Sequence, residues 1–421
     1  MLATTVFGHL LGLQAASVTK ATFHPDAVAI IVDVQLRRKT LVCPRCGRRC
    51  STGAYDSRQR MWRHIDLGPW EVYLRSRLRR FLCPPCKAVV TEAIPWAEPG
   101  SMFSRDFEDI ASFLAQNTNA TVVSRMMKIA WETVGNIVSR TVRRRGIPLN
   151  RRRLYRIGID EISYRKHHKY LTVVADHIEG GVVWGGEGKS GKALDPFLDA
   201  LGPEGRDRIQ LVSMDMSQAF ISKVRERLPK ATIVFDPFHV VKLANAAVDE
   251  VRRGQVRALK GRADESQPIK KSRWILLKAP DNLTPEESTR LSLVARANLP
   301  LYRAYLLKEA LRAVYRAPAA KAGARLDAWL AWASRSRLQP FVKLGRTIRE
   351  HRSGILAAIE HGLSNGRLEG LNNKIRLISH RAFGFHSAEA LLALVYLCCA
   401  GIEIPLPSDK RPGYDPFTLA S

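Results

Sequence analysis

The chain has 421 residues, 46% of them hydrophobic, with 67 lysines and arginines against 39 acids and a formal net charge of +28. That length and apolar content exclude a disordered basic tail and allow several domains with their own cores. The charge calls for an anionic partner, because a free basic surface of this size repels itself, and nucleic acid is the expected one.

No charged and then apolar secretory segment opens the chain. Its longest apolar stretch, "ALLALVYLCCAGI" from Ala390, is shorter than the ~20 residues a spanning helix needs. A cytoplasmic, nucleoid-associated protein is expected. In that reducing compartment its seven cysteines stay free to bind metal.

Residues 1–100 form the first predicted domain, a zinc ribbon. "CPRC" and "CPPC" present Cys43, Cys46, Cys83 and Cys86 as two knuckles, each turning two thiolates toward one tetrahedral centre. Between them, Gly68-Pro69 divides two strand-like runs. In the second run Val72, Leu74, Leu78 and Leu82 oppose a basic face. Cys50 and His64 read as bystanders.

Residues 101–150 change to helical period and predict a helix-turn-helix. "SRDFEDIASFLAQ" opens with a capping serine and acids in its first turn. The last helix carries Arg143, Arg144 and Arg145 and is expected to enter the DNA major groove. A charged linker, "RRRGIPLNRRR", follows.

The third domain, 151–244 with 354–400, reads as strand, strand, strand, helix, strand, helix, strand. That is the element order of a ribonuclease-H-like core, so the fold class is multi-domain α/β. Such a core used as a nuclease sets one acid on its first strand and one after its fourth, where Asp160 and Asp215 fall. Hard carboxylate oxygens suit magnesium or manganese, and a pair of such ions activates the attacking oxygen and steadies the leaving oxygen of a phosphodiester. Asp236 follows an apolar strand as Asp215 does and competes for the second role. Strand order favours Asp215, which leaves Asp236 and His239 to orient the site. Glu161 alternates to the face opposite Asp160. His167 and His168 fall in a basic turn and read as surface residues or phosphate contacts.

A third acid is expected from a later helix. In "SNGRLEGLNNKIRLISHRAFGFH", Glu369, Asn372, Asn373 and Arg376 fall on one polar face. Leu368, Leu371, Ile375 and Ile378 fall on an apolar one. Arg367, Asn372, Asn373, Lys374 and Arg376 are candidate DNA contacts. Residues 245–353 read as an all-helical basic insertion, with a capping box at Thr284 and Glu287 and with Trp329 and Trp332 set among arginines. Core packing is the favoured role for these two tryptophans over base stacking. Residues 401–421 form a C-terminal tail.

Taken together, "CPRCG…CPPC", "GIDEISYRKHHKYLTVVAD", "VSMDMSQAF", "PKATIVFDPFHVVKL" and "SNGRLEGLNNKIRLISHRAFGF" resemble the ISL3 family of bacterial insertion-sequence transposases over all but the ends of the chain. The resemblance implies a DDE transposase with Asp160, Asp215 and Glu369 as its acidic triad. It also makes "DPFH", Asp236 to His239, similar to a signature found after the second acid in related transposases. Such an enzyme binds the inverted-repeat ends of its element as double-stranded DNA, cuts them and joins the freed 3′-hydroxyl to target DNA. It is expected to use structural zinc and catalytic magnesium or manganese, and to act as a dimer or higher oligomer. The alternatives are a non-catalytic zinc-ribbon and helix-turn-helix regulator and a structure-selective nuclease.

Overall fold

Alternating burial along one strand, with arginines between its apolar residues, sets the first sheet. The computed structural model describes residues 2–13, 15–50, 53–148, 153–165, 169–363, 366–381, 387–406 and 409. The turn holding His167 and His168 lies outside the described residues. The chain forms two units, Met1–Pro148 with Arg381–Ser421, and Leu149–His380.

The first unit begins with helix α1 (Ala3–Leu11), strands β1 (Ala16–His24) and β2 (Ala29–Leu36), and a two-stranded ribbon of β3 (Leu41–Val42) and β4 (Arg49–Cys50). Strands β5 (Asp56–Arg63), β6 (Glu71–Cys83) and β7 (Ala88–Thr91) follow. The sheet runs β1-β2-β6-β5, with β7 also on β6. Ile30, Val32, Trp62, Val72, Leu74 and Leu78 cover one face, where Phe7 and Leu11 of α1 join them. The opposite face is held by ion pairs, including Arg75 with Asp33 and Arg79 with buried Glu92. Leu82, expected inside, is exposed, and Phe81 and Cys83 are buried beside it.

Three helices complete this stretch: α2 (Arg105–Asn117), α3 (Ala120–Met127) and α4 (Trp131–Arg145). The Ser104 hydroxyl accepts the Phe107 N–H and Asn119 accepts that of Val122, so α2 and α3 both start on a side-chain cap, the first as the sequence implies. Arg143 to Arg145 end α4, where the sequence reading sets them.

In the second unit a five-stranded sheet contains β8 (Arg156–Arg165), β9 (Lys169–Asp176), β10 (Val182–Glu187), β11 (Leu211–Met214) and β12 (Thr232–Phe235). Its order is β10-β9-β8-β11-β12. The first three strands form an antiparallel meander, and β11 and β12 continue parallel to β8. Helices α5 (Asp195–Arg208) and α6 (Gln218–Arg227) supply the crossovers, and Ile157, Ile159, Val212 and Met214 bury one sheet face beneath such helices.

Helix α7 (Pro237–Ala258) runs unbroken through position 244, so a domain boundary expected there falls inside a helix. The helices α8 (Ala263–Lys271), α9 (Arg273–Leu277), α10 (Pro285–Ala297), α11 (Leu299–Tyr315), α12 (Ala319–Arg335) and α13 (Gln339–Glu350) follow. They share one apolar core with the sheet. The capping box at Thr284 and Glu287 is formed. Trp329 is buried and donates its indole N–H to the Leu307 carbonyl at 2.8 Å, which leaves it no face for a base; Trp332 is partly exposed. Helix α14 (Arg352–Glu360) packs beside β12, and α15 (Gly366–Arg381) follows.

The last helix, α16 (Ala388–Cys399), is expected from the sequence in the catalytic core and instead belongs to the first unit. Ala393 and Leu397 join Phe107, Val123, Ile137 and Val138 in the core of the helix-turn-helix. Gln116 donates to the carbonyls of Leu397 and Ile402. The physical reason is hydrophobicity: α16 is apolar nearly all round, and α2 to α4 leave an apolar face for it.

Candidate metal and catalytic sites

The thiols of Cys43, Cys46, Cys83 and Cys86 all lie within 4.8 Å of one another. A tetrahedral zinc site with Zn–S bonds of ~2.3 Å has S···S edges of roughly 3.8 Å. Cys43 Sγ lies 3.9 Å from Cys86 Sγ, and Cys46 Sγ lies 3.7 Å from Cys83 Sγ. Both knuckles turn through a left-handed residue after their second cysteine, Gly47 and Lys87, and the Gly47 N–H closes its turn on the Cys43 carbonyl. Burial works to raise the Cys43 thiol, but N–H groups of Cys46 and Arg45 bring it down to about 6, whereas burial pushes the Cys83 thiol up and the neighbouring Cys46 thiol raises Cys86. A bound cation would favour the thiolate in all four. Cys50 packs in the small core beside the knuckles. His64 Nδ1 is hydrogen-bonded to the Ser104 hydroxyl, so neither joins the set.

The second site begins with strand register. Ser213 on β11 pairs with Gly158 on β8, and Met214 pairs with Phe235 on β12. Carried one or two residues further, those registers set Asp160, Asp215 and Asp236 level with one another. Asp160 lies midway along β8, just past its last pair with β11, and Asp215 and Asp236 directly follow the C-terminal ends of β11 and β12. Adjacent strands are spaced ~4.8 Å apart. Asp215 Oδ1 accepts the Ser217 N–H at 2.9 Å. Asp236 is buried and caps α7 by accepting the Phe238 N–H at 3.3 Å, so its carboxylate has a structural task. His239 Nε2 lies 3.9 Å from Asp236 Oδ2.

Helix α15 meets β8 on the same face. Leu368 packs against Gly158, and one turn later the Asn372 amide donates to Asp160 Oδ2 at 2.6 Å. Asn372 therefore belongs to the buried row with Leu368, Ile375 and Ile378, and not to the exposed polar face on which the sequence reading sets it. Its spacing of four from Leu368 and three from Ile375 is the available signal. Arg367, a candidate DNA contact, donates to the carbonyls of His177 and Ile178 at 2.5 and 3.1 Å and ties the start of α15 to the turn after β9. Glu369, Asn373, Lys374 and Arg376 are exposed. Among the described residues only the four cysteines draw three or more ligand atoms within 4.8 Å, so Glu369 is not drawn in against Asp160 and Asp215.

Burial raises the Asp160 carboxyl above its usual range, against the opposing pull of the Glu161 N–H and the Asn372 amide. Glu161, set aside by strand alternation, is part of the same electrostatic group. Burial first, then the charges of Asp215 and Asp160, push it up to about 7, with Lys189 opposing. Carboxylates crowded in this way at one strand edge have the donor chemistry of a hard divalent cation site.

The arginines ending α4 divide. Arg144 pairs with Glu108 and Asp109 of α2, and Arg145 donates to Asp109 at 2.7 Å. Glu108 is fully buried and also receives Arg140 at 2.8 Å. Arg144 is thus a counter-ion to the buried acids of α2. Arg143 is exposed, as are Trp131, Glu132, Gly135 and Asn136 at the other end of α4.

A four-thiol cluster, a capped helical bundle and an acidic strand edge in one basic chain define a multi-domain protein of metal-knuckle, helical and mixed α/β parts. The comparisons agree with that class. A model described as a transposase of the ISL3 family matches residues 157–395. The zinc finger of transposases IS204/IS1001/IS1096/IS1165 matches 39–86, and the helix-turn-helix domain of transposase family ISL3 matches 92–142. The transposase for insertion sequence element IS1557 of Mycobacterium tuberculosis, found in two strains, is 40% identical over 405 residues, 91% of either chain. The transposase for IS1001 of Bordetella parapertussis is 31% identical over 357 residues, 83% of this chain and 87% of its own. The chain belongs to the ISL3 family of insertion-sequence transposases.

Proposed function

We propose that this transposase cuts the ends of its element and joins them to target DNA, with Asp160, Asp215 and Glu369 as the acids that hold magnesium or manganese on a ribonuclease-H-like core. The observation that carries this reading is the shared register of Asp160 and Asp215 on adjacent parallel strands, with α15 bonded directly to Asp160. When bound, the divalent ions supply activation of the attacking oxygen and stabilisation of the leaving one. The protein's own part is positional. Two N–H donors orient Asp160, and Glu369 stands three residues before Asn372 on α15. The exposed Asn373, Lys374 and Arg376 offer donors to DNA phosphates beside it.

In this reading the four cysteines hold a structural zinc ion. The zinc ribbon and the exposed side of α4 with Arg143 read the element's ends in double-stranded DNA. Asp236 and His239 support the acidic edge. Two ends must be held together for joining, so the working form is a dimer or larger, in the bacterial cytoplasm at the nucleoid.

The test is incubation of the purified chain with a duplex carrying its own element end, with magnesium or manganese. Strand joining that is abolished by Asp160→Ala, Asp215→Ala or Glu369→Gln, with end binding retained, is the expected result. Cleavage without joining would point to a nuclease. Binding with no chemistry, unchanged in Asp160→Ala, would leave a DNA-binding regulator.

A further inference from the structure

We infer that Asn372 is a positioning residue, whose amide fixes the Asp160 carboxylate for metal and pins the helix that carries Glu369 to the strand that carries Asp160. This inference rests on the acidic-triad reading above.

Asn372 is 6% exposed and stands in an otherwise apolar row, with Leu368 and Ile375 on either side of it. An amide in such a row costs free energy unless it is hydrogen-bonded, so packing alone favours leucine there. Its bond goes to Asp160 Oδ2 at 2.6 Å. An ionised carboxylate only accepts, so the amide nitrogen must face it. The Glu161 N–H occupies Oδ1 at 2.7 Å. Each carboxylate oxygen therefore holds one protein donor and keeps a second lone pair for a cation. The carboxylate plane is set before metal arrives.

The residue type is also constrained. An aspartate at 372 would add a carboxylate to an edge already crowded by Asp160, Asp215 and Glu161. A leucine would leave Oδ2 without its donor. Because Glu369 lies three residues before Asn372, the same bond fixes how far along β8 the third acid arrives. Gly158 permits this geometry by leaving room for Leu368 one turn earlier.

The experiment compares Asn372→Leu, Asn372→Ser and Asp160→Ala in the full chain. It measures end-DNA binding without divalent metal, the rise in melting temperature on titration with Mn2+, and the Mn2+ dependence of end cleavage. Asn372→Leu keeps the row filled but leaves Asp160 Oδ2 without its donor, so it should fold with a modestly lower melting temperature and bind DNA equally. Half-maximal cleavage and the melting shift should then require about 10- to 100-fold more Mn2+. Asn372→Ser, too short to reach Oδ2, should move in the same direction and decides the matter if the leucine variant does not fold. Parent-like Mn2+ dependence in the folded Asn372 variants, with that of Asp160→Ala lost, overturns this inference alone. Parent-like Mn2+ dependence in Asp160→Ala overturns the triad reading and this inference with it.

Discussion

Leu368 lies so close over Gly158 that no methyl group fits between them: a Cβ at position 158 would overlap Leu368 Cδ1 and stand 2.8 Å from His177 Nε2. The glycine is there for close approach of a helix to a strand. Gly158→Ala should therefore push α15 outward and destabilise the second unit by about 1–3 kcal/mol. Displacement of the Glu369 helix by ~1 Å should lower end cleavage by about 100-fold. Thermal melts and cleavage rates check both, and parent-like cleavage in the variant would show that α15 does not need its present seat.

The arginines of α4 give opposed expectations. Glu108 is buried with the part-buried Arg140 and Arg144 around it, so Glu108→Ala removes their shared partner and should cost about 1–3 kcal/mol. Arg144→Ala should likewise act on melting temperature before affinity. Arg143→Ala should leave the melt unchanged and weaken DNA binding, with the slope of log affinity against log salt reduced by about one. Salt titrations of binding beside thermal melts separate the two classes.

Removal of the knuckle metal should be a folding event. The core beside it consists of Leu41, Phe81, Val90 and the cysteines themselves, too little to hold the ribbon without the ion. Cys83→Ser should lose about one equivalent of zinc per chain and weaken end binding, measured by metal analysis and DNA titration. Metal-free parent protein with full end binding would argue against the zinc assignment.

His177 sets a pH dependence. Burial first, then the nearby charges of Arg367 and Arg156, hold its imidazole down to about 4 against an ordinary 6.5. The unfolded chain therefore takes up this proton before the folded one does. Its contribution to stability is complete above about 6.5 and is lost as pH falls toward 4. Melting temperatures should drop over that window. His177→Gln, which can still meet the Ser213 hydroxyl that His177 Nε2 faces at 2.5 Å, should show a shallower drop.

Much of this is legible in the sequence where the physics is local. Cysteine spacing announces the knuckles, and apolar runs ending in acids announce Asp160 and Asp215. The capping box and the succession of strands and helices along the chain are also readable at short range. Long-range pairing is not. Nothing near Arg144 in the sequence shows that Glu108 is its partner, so a basic helix end reads as a DNA contact. Asn372 is misplaced for a related reason: a polar residue is assumed to face water, although its spacing from Leu368 and Ile375 sets it on the inward row. Glu161 is set aside by strand alternation, which describes direction and not the reach of charge.

The placement of α16 has a consequence for how this protein is made. Its residues complete the core around α2, α3 and α4, and Arg381 donates to the carbonyls of Ala115, Gln116 and Thr118 at the end of α2. A ribosome has to pass through the whole second unit and α16 before the helix-turn-helix can close. A message broken or terminated early therefore yields a fragment whose reading head lacks its own keystone. Such fragments are poorly equipped to bind DNA and obstruct the full-length protein.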